Sequence, residues 1–463
     1  MKIYNTLTRQ KEEFVPVKAG EAGIYACGPT VYNYFHIGNA RPFIVFDVLR
    51  RHLQRQGYRV KYVQNFTDID DKMIRRAGEE GITVRELGER FIAEYYKDAD
   101  GLGIRRATVA PKATEHIAEI VALIRRLEEK GFAYASEDGV YFDTQRFSGY
   151  GKLCGQNLED LEAGARVDVG ESKRHPMDFA LWKALKPGEP AWESPWGMGR
   201  PGWHIECSAM AKRHLGETID LHCGGQDLTF PHHENEVAQS ECCNGAPFSR
   251  FWMHNGYINV DNVKMSKSLG NFFTVREVAD KYGYEPIRYL LIACHYRNPF
   301  NYSVDSVEQA KAALQRLYTC RDNLAFASKN AADGDDAALV AGLEEHKTRF
   351  IAAMDEDFNT ADALGCVFEL VRDINTKVID GKAGRAVCGA AAALFDELTG
   401  VLGLVYNRKD TRLDDEAEAL VQERAKARSE KNWARADEIR AQLGAMGVTI
   451  EDTAQGTKII RNA

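Results

Sequence analysis

The sequence predicts an α/β protein: a parallel-sheet domain split by an inserted connective segment, then a helical bundle and a small C-terminal domain. Three observations carry this. The chain opens with a strand, loop, helix, strand pattern. Glycine-bounded apolar strands resume after a proline-rich interruption. Beyond about Ser303 the periodicity turns helical almost throughout.

The first strand is Ala22 to Cys27, closed by a Gly-Pro turn. A helix follows, with Phe43, Phe46, Leu49 and Leu53 at helical spacing. After Gly57 the β-branched and aromatic run YRVKYVQNFT reads as a second strand, which makes a βαβ unit. From about Glu79 to Gly131 the pattern is helical, with Ile117, Ile120, Leu123, Ile124 and Leu127 on one face. GVYFDT then suggests a short strand. Lys186 to Gly202 is dense in proline and glycine and is expected to be an ordered turn region or a flap, without a regular element. TIDLHCGG and FWMHNGYI return as strands of the interrupted sheet.

These readings divide the chain into a discontinuous domain (1–110 and 200–260), an insertion (111–199), a junction (261–303), a helical bundle (304–406) and a C-terminal domain (407–463). In the last of these, one helix followed by a strand-like tail is expected. On that helix Arg424, Arg428, Lys431 and Arg435 would share a face beside Trp433. Such a face either binds phosphate or is a solvated face paired with Glu423, Glu430, Asp437 and Glu438; both stay open.

Length favours two to four domains. Hydrophobic residues at 44% and charged residues at 28% are ordinary for a folded protein and exclude a disordered or fibrous chain. The N-terminus has no signal-peptide pattern and no apolar run is long enough to cross a bilayer, so a cytoplasmic location is expected. Ten cysteines in 463 residues are too sparse for a disulfide scaffold. A formal charge of −8 argues against indiscriminate binding of polyanions.

Three constellations carry chemistry. Pro29 to Asn39 contains Thr30 and His36-Ile37-Gly38-Asn39 between a strand and a helix, where free N–H groups and the helix dipole favour phosphate. Gly38 admits a nucleotide closely, and His36 and Asn39 supply donors. A helix-capping loop with a satisfied histidine is the alternative. Lys264-Met265-Ser266-Lys267-Ser268 offers two ammonium groups near glycine, suited to charge developing on a triphosphate; a solvated lysine loop is the alternative. Pro231-His232-His233-Glu234-Asn235-Glu236 places His232 and Glu236 at i,i+4, with thiols in Cys27 and Cys207. Thiolate, imidazole and carboxylate suit zinc, but the spacing matches no zinc finger, and buried thiols remain the alternative.

Together these residues resemble the two signatures of class I aminoacyl-tRNA synthetases, conventionally written HIGH and KMSKS. The second is matched in full; the first departs at Asn39, which keeps a donor but removes an ionisable ring. Across the whole chain, the sequence resembles the cysteinyl-tRNA synthetase family. That resemblance implies a Rossmann-type catalytic domain, a zinc ion on Cys27, Cys207, His232 and Glu236, and magnesium accompanying ATP. It implies that His36, Asn39, Lys264 and Lys267 stabilise the transition state. Thr30, Gly38, Asp227, Ser266 and Ser268 would hold the nucleotide, and Thr67 and Trp203 the amino acid. The implied partners are ATP, L-cysteine and tRNA(Cys), with the C-terminal region reading the anticodon and the protein acting as a monomer. Cysteine would bind the metal as thiolate, which serine cannot match, so no editing domain is needed. A fifth ligand exceeds a tetrahedral site, so a displaced Glu236 is expected when cysteine enters.

Two rivals follow from the same residues. A cysteine ligase of mycothiol synthesis resembles this family, but the helices after Ser303 argue against it. A non-catalytic tRNA-binding protein would not require His36 and Lys264 to Ser268.

Overall fold

The computed structural model describes residues 1–156, 172–261, 263–264, 272–408, 415–446, 448–453 and 456–461. The chain divides into two compact units: Met1–Gln315 with Glu345–Phe368 and Glu397–Leu404, and the remaining segments Arg316–Glu344, Glu369–Asp396 and Val405–Ala463.

The first unit opens with a hairpin, β1 (Lys2–Asn5) and β2 (Gln10–Glu13). The expected βαβ unit follows: β3 (Glu21–Ala26), α1 (Ile37–Arg55) and β4 (Arg59–Gln64), whose strands run parallel. Two helices come next, α2 (Asp71–Glu80) and α3 (Val84–Gly101). The helical stretch expected from Glu79 to Gly131 is interrupted here. Gly103 at φ +66° follows α3, and the chain runs extended past β4 through bridges Val63–Val109 and Phe66–Lys112 before α4 (Ile117–Glu129) begins.

The insertion is more regular than its composition suggests. β5 (Ala133–Ser136), β6 (Gly139–Phe142), β7 (Phe179–Ala184) and β8 (Gly199–Pro201) form an antiparallel sheet in that order. The expectation of no regular element between Lys186 and Gly202 is therefore corrected. β8 lies in that segment, and Trp192 pairs with Gly199. Gly199 and Gly202 are required by close approach: a Cβ would lie 2.3 Å from the Lys183 carbonyl oxygen and 1.9 Å from that of Ala180.

α5 (Trp203–Leu215) leads into β9 (Ile219–Gly225), α6 (Glu234–Asn244) and β10 (Ser249–Asn255). The sheet order is β10-β9-β3-β4, all parallel, with Ile24 opposite Leu221, Tyr25 opposite His222 and Ala26 opposite Cys223. The chain leaves β3 toward β4 on one side and β9 toward β10 on the other. The strand order therefore reverses at the carboxyl ends of β3 and β9, the usual ligand position in such sheets.

A small sheet of β11 (Ile258–Val260), β12 (Val263–Lys264) and β13 (Phe300–Tyr302) follows, with α7 (Val275–Tyr282) and α8 (Tyr284–Ile292) between its second and third strands. α8 is locked by Arg288. Its fully buried guanidinium donates to Asp47 Oδ2 at 2.7 Å and to the carbonyl oxygens of Leu402, Leu102 and Gly103.

The helical region begins with α9 (Val304–Asn330), α10 (Ala337–Asp355), α11 (Thr360–Asp373) and α12 (Arg385–Leu402). Within the second unit, Arg321 makes a two-pronged pair to Asp396 at 2.8 and 2.9 Å. The expected single C-terminal helix is two: α13 (Asp415–Ser429) and α14 (Trp433–Ala445), separated at Lys431, whose φ is +58°. That break removes the common face expected of Arg424, Arg428, Lys431 and Arg435. Arg424 is buried and paired to Asp452 with Arg428 beside it, and Arg435 pairs with Glu423 and Glu438. A hairpin of β14 (Val448–Thr453) and β15 (Gly456–Arg461) closes the unit over Ala417, Ile439, Leu443, Val448 and Ile450. Among the described residues no helix is long and apolar enough to cross a membrane.

Candidate metal centre and active site

Three segments meet at the carboxyl end of the parallel sheet. Cys27 ends β3, and its backbone N–H donates to the Cys223 carbonyl oxygen at 3.2 Å. Its turn is fixed by Gly28, whose N–H donates to Asn65 Oδ1 at 2.9 Å and where a Cβ would sit 1.6 Å from the Asn65 carbonyl oxygen. Cys207 lies on α5. His232 and Glu236 sit around the start of α6, one helical turn apart, with Nε2 and Oε1 at 3.1 Å.

These four donors converge. Cys27 Sγ is 3.9 Å from Cys207 Sγ and 3.6 Å from Glu236 Oε1, and all four ligand atoms lie within 4.8 Å of one another. A tetrahedral zinc site, with bonds of about 2.0 to 2.3 Å, has ligand–ligand separations of about 3.3 to 3.8 Å. The donor set and its spacing fit such an ion. All four residues are buried, and the cluster lies in an apolar core with Tyr25, Met210, Val237 and Trp252.

The charges are mutually tuned. A hydrogen bond from Cys27, helped by His232, pulls the Cys207 thiol down to about 6. Burial and that same contact push the Cys27 thiol well up. Burial would raise Glu236, but His222 and His232 hold it at about 2. Burial opposes protonation of His232, yet Glu236 and Cys207 raise it to about 10. A metal ion bound here would take the place of the proton that Glu236 and Cys207 favour on His232, and the four residues could hold such an ion.

Sequence profiles of known families match almost the whole chain. That for the tRNA synthetases class I (C) catalytic domain matches residues 13–312, a DALR domain matches 349–406, and the cysteinyl-tRNA ligase anticodon binding domain matches 410–459. The cysteine-tRNA ligase of Clostridioides difficile (strain 630) is 56% identical over 462 residues, 99% of each chain. That of Caldicellulosiruptor saccharolyticus is 56% identical over 465 residues, 100% of each. The chain belongs to the cysteine-tRNA ligase family. Solved structures share the fold: Mycobacterium tuberculosis methionyl-tRNA synthetase with methionyl-adenylate has a TM-score of 0.60 at 15% identity, covering 82% of this chain and 89% of that one. A putative arginyl-tRNA synthetase from Campylobacter jejuni gives 0.58 at 12% identity, covering 83% and 93%.

The remaining residues expected of a cysteine-tRNA ligase are placed as follows. His36 caps α1, its Nδ1 accepting from Asn39 N–H at 3.3 Å, so the capping geometry is real. Gly38 and Asn39 fill the first turn. Thr30 and Thr67 lie side by side, with Val31 N–H donating to the Thr67 carbonyl and Thr67 N–H to that of Pro29. Thr67 Oγ1 is 3.4 Å from Asn65 Nδ2. Trp203, 40% exposed, stacks on His232 with ring centroids 4.3 Å apart and stands at the mouth of the cluster. Asp227 is exposed in the turn after β9, near Tyr257, whose hydroxyl pKa is raised by burial and then by Asp227.

Of the lysine motif, only the backbone of Lys264 lies among the described residues; Ser266, Lys267 and Ser268 lie outside them. Phe272 packs on the His36 ring, Ile37 N–H donates to the Phe273 carbonyl at 3.2 Å, and Val275 N–H donates to that of Phe35 at 3.0 Å.

Sequence reasoning missed four nearby side chains. His222 Nε2 donates to Glu236 Oε2 (2.8 Å), His233 Nε2 is 3.3 Å from Cys27 Sγ, and Asn65 fixes Gly28. Glu206 is buried beside Cys207, and burial pushes its pKa well up. His233 was adjacent to a flagged ligand. His222 was hidden because every residue of β9 is buried, so alternation gave no signal.

Proposed function

We propose that the chain activates L-cysteine with ATP to cysteinyl-adenylate and transfers it to the 3′-terminal adenosine of tRNA(Cys), releasing AMP and pyrophosphate. The observation that carries this reading is the buried quartet Cys27, Cys207, His232 and Glu236 beside the strand–helix loop bearing His36. Zinc held by that quartet would lower the pKa of a bound thiol and favour cysteine over serine.

The chain's own residues do the rest by placement and charge. Trp203 and Thr67 border the amino-acid pocket. Thr30, Gly38 and Asp227 are assigned to the nucleotide, as are Ser266 and Ser268, which lie outside the described residues. His36 and Asn39 stand at the N-terminus of α1, where helix dipole and donors favour the α-phosphate. Lys264 and Lys267 offset charge on the leaving pyrophosphate, which magnesium accompanies. No protein nucleophile is required. We assign the division at 1–110 and 200–260, 111–199, 261–303, 304–406 and 407–463 to catalytic, connective, junction, helical and anticodon-reading roles. The protein is proposed to work as a cytoplasmic monomer.

The test is ATP-dependent charging of total tRNA by the zinc-loaded protein with labelled cysteine and, separately, labelled serine. Cysteine alone should be esterified. Activation without transfer to tRNA, or equal charging by serine, would overturn the reading.

A further inference from the structure

The chamber that gathers the quartet contains more donors than one tetrahedral ion uses. Cys27, His222, His233 and Glu236 form a second buried group whose ligand atoms also lie within 4.8 Å of one another. We propose that this group is an inner metal-binding position, overlapping the outer one through Cys27 and Glu236, and that it retains a zinc-type divalent cation when Cys207 is removed. The inference rests on the metal-centre reading above.

The shared carboxylate is divided between the two positions. Glu236 Oε1 faces His232 at 3.1 Å and Cys27 at 3.6 Å, whereas Oε2 faces His222 Nε2 at 2.8 Å. Each position therefore has its own carboxylate oxygen. Cys27 Sγ is likewise central, 3.9 Å from Cys207 Sγ and 3.3 Å from His233 Nε2.

Both inner imidazoles are held in place by the fold. His233 Nδ1 is 2.7 Å from His254 Nε2, and His254 Nδ1 is 2.8 Å from Thr6 Oγ1, a chain that orients the ring and leaves Nε2 toward Cys27. Such outer hydrogen bonds are what ligand histidines need to fix ring and tautomer. Gly224 makes room for it: a Cβ there would lie 2.6 Å from His233 Cε1. His222 is set by the β3/β9 register and stacks on Trp252 at 4.4 Å and 17°. His232 lies under half-open Trp203, whereas His222 and His233 are fully enclosed. The inner set offers one sulfur, two nitrogens and one oxygen, a combination as acceptable to zinc as the outer set.

The experiment uses full-length protein loaded with zinc, with folding checked by circular dichroism. Zinc content and chelator-competition affinity are measured for the wild type and for Cys207→Ala, His233→Asn and the double variant; zinc-edge X-ray absorption counts sulfur and imidazole ligands. Cys207→Ala should keep one zinc with one sulfur and two imidazoles. His233→Asn should be near wild type alone but weaken zinc by more than about tenfold in the Cys207→Ala background. Loss of zinc from a folded Cys207→Ala, or a single imidazole in it, overturns the inner position. An equal effect of His233→Asn in both backgrounds also overturns it, since His233 would then act only as a hydrogen-bond partner of Cys27. Should Cys207→Ala fail to fold, Cys207→Ser is read by the same criteria. A wild type that binds no zinc instead sinks the metal-centre reading itself.

Discussion

Cys27 Sγ and Cys207 Sγ face each other at 3.9 Å although 180 residues separate them in sequence. Neither helix nor strand periodicity relates them. They meet because α5 packs back against β3 and its neighbour β4.

Of the two thiols, Cys27 belongs to both donor groups, so its loss has no substitute. Cys27→Ala should weaken zinc binding by about 100-fold or more, beyond the effect of removing an outer-shell partner. Competition with a chromophoric chelator measures this; an affinity near wild type would show that Cys27 is not a ligand.

Asp47 and Arg288 form a buried pair at 2.7 Å, and Arg288 also satisfies three carbonyl oxygens. Arg288→Met leaves those acceptors and the Asp47 charge without that partner. A loss of about 3 to 5 kcal/mol is expected in denaturant unfolding. The double variant Asp47→Asn, Arg288→Met should recover part of it.

Asp71 ties α2 to the inserted sheet, accepting from Lys183 at 2.9 Å and also pairing with Arg200. Burial would raise its pKa, but these partners hold it at about 2. The folded value lies below the unfolded value of about 3.9. The pair's contribution is therefore full above about pH 4 and is lost as pH falls through about 2. Asp71→Asn should cost less than about 1 kcal/mol at pH 7, because the group is half exposed to solvent. Thermal unfolding of both proteins from pH 7 downward should show the gap closing across that window.

Glu206 is buried beside Cys207, and burial pushes its carboxyl well above the usual carboxylate range. The isosteric Glu206→Gln should change stability by less than about 1 kcal/mol and leave zinc content intact. A several-fold drop in zinc affinity would instead mean that the site requires a negative charge there.

Gly28→Ala introduces a Cβ 1.6 Å from the Asn65 carbonyl oxygen, a backbone atom that cannot rotate away. Destabilisation of about 1 to 3 kcal/mol or more is expected, with reduced zinc occupancy because Cys27 is the preceding residue. Unchanged melting would show that the turn relaxes freely.

The parallel core was legible because Ala22 to Cys27, the helix after it and YRVKYVQNFT each declare their type locally. The quartet was legible only through family likeness. His232 and Glu236 share helical spacing, but nothing local ties them to Cys27 or Cys207. β7 was missed because the burial of Phe179–Ala184 does not alternate cleanly, so a period of two gave no signal. The break at Lys431 was invisible because a left-handed lysine has no compositional signature. With it went the shared cationic face, since Arg424 is drawn inward by Asp452.

The insertion between β4 and β9 has a consequence for how the protein is made. β3 emerges from the ribosome soon before its neighbour β4 but long before its other neighbour β9, and the quartet is complete only once Glu236 has been synthesised. Closing so long a loop is slow, although its entropic cost grows only logarithmically with length. Nascent chains that stop within the insertion carry Cys27 without Cys207, His232 or Glu236, so the quartet can form only after the insertion has been crossed and cannot nucleate the β3–β4 pair.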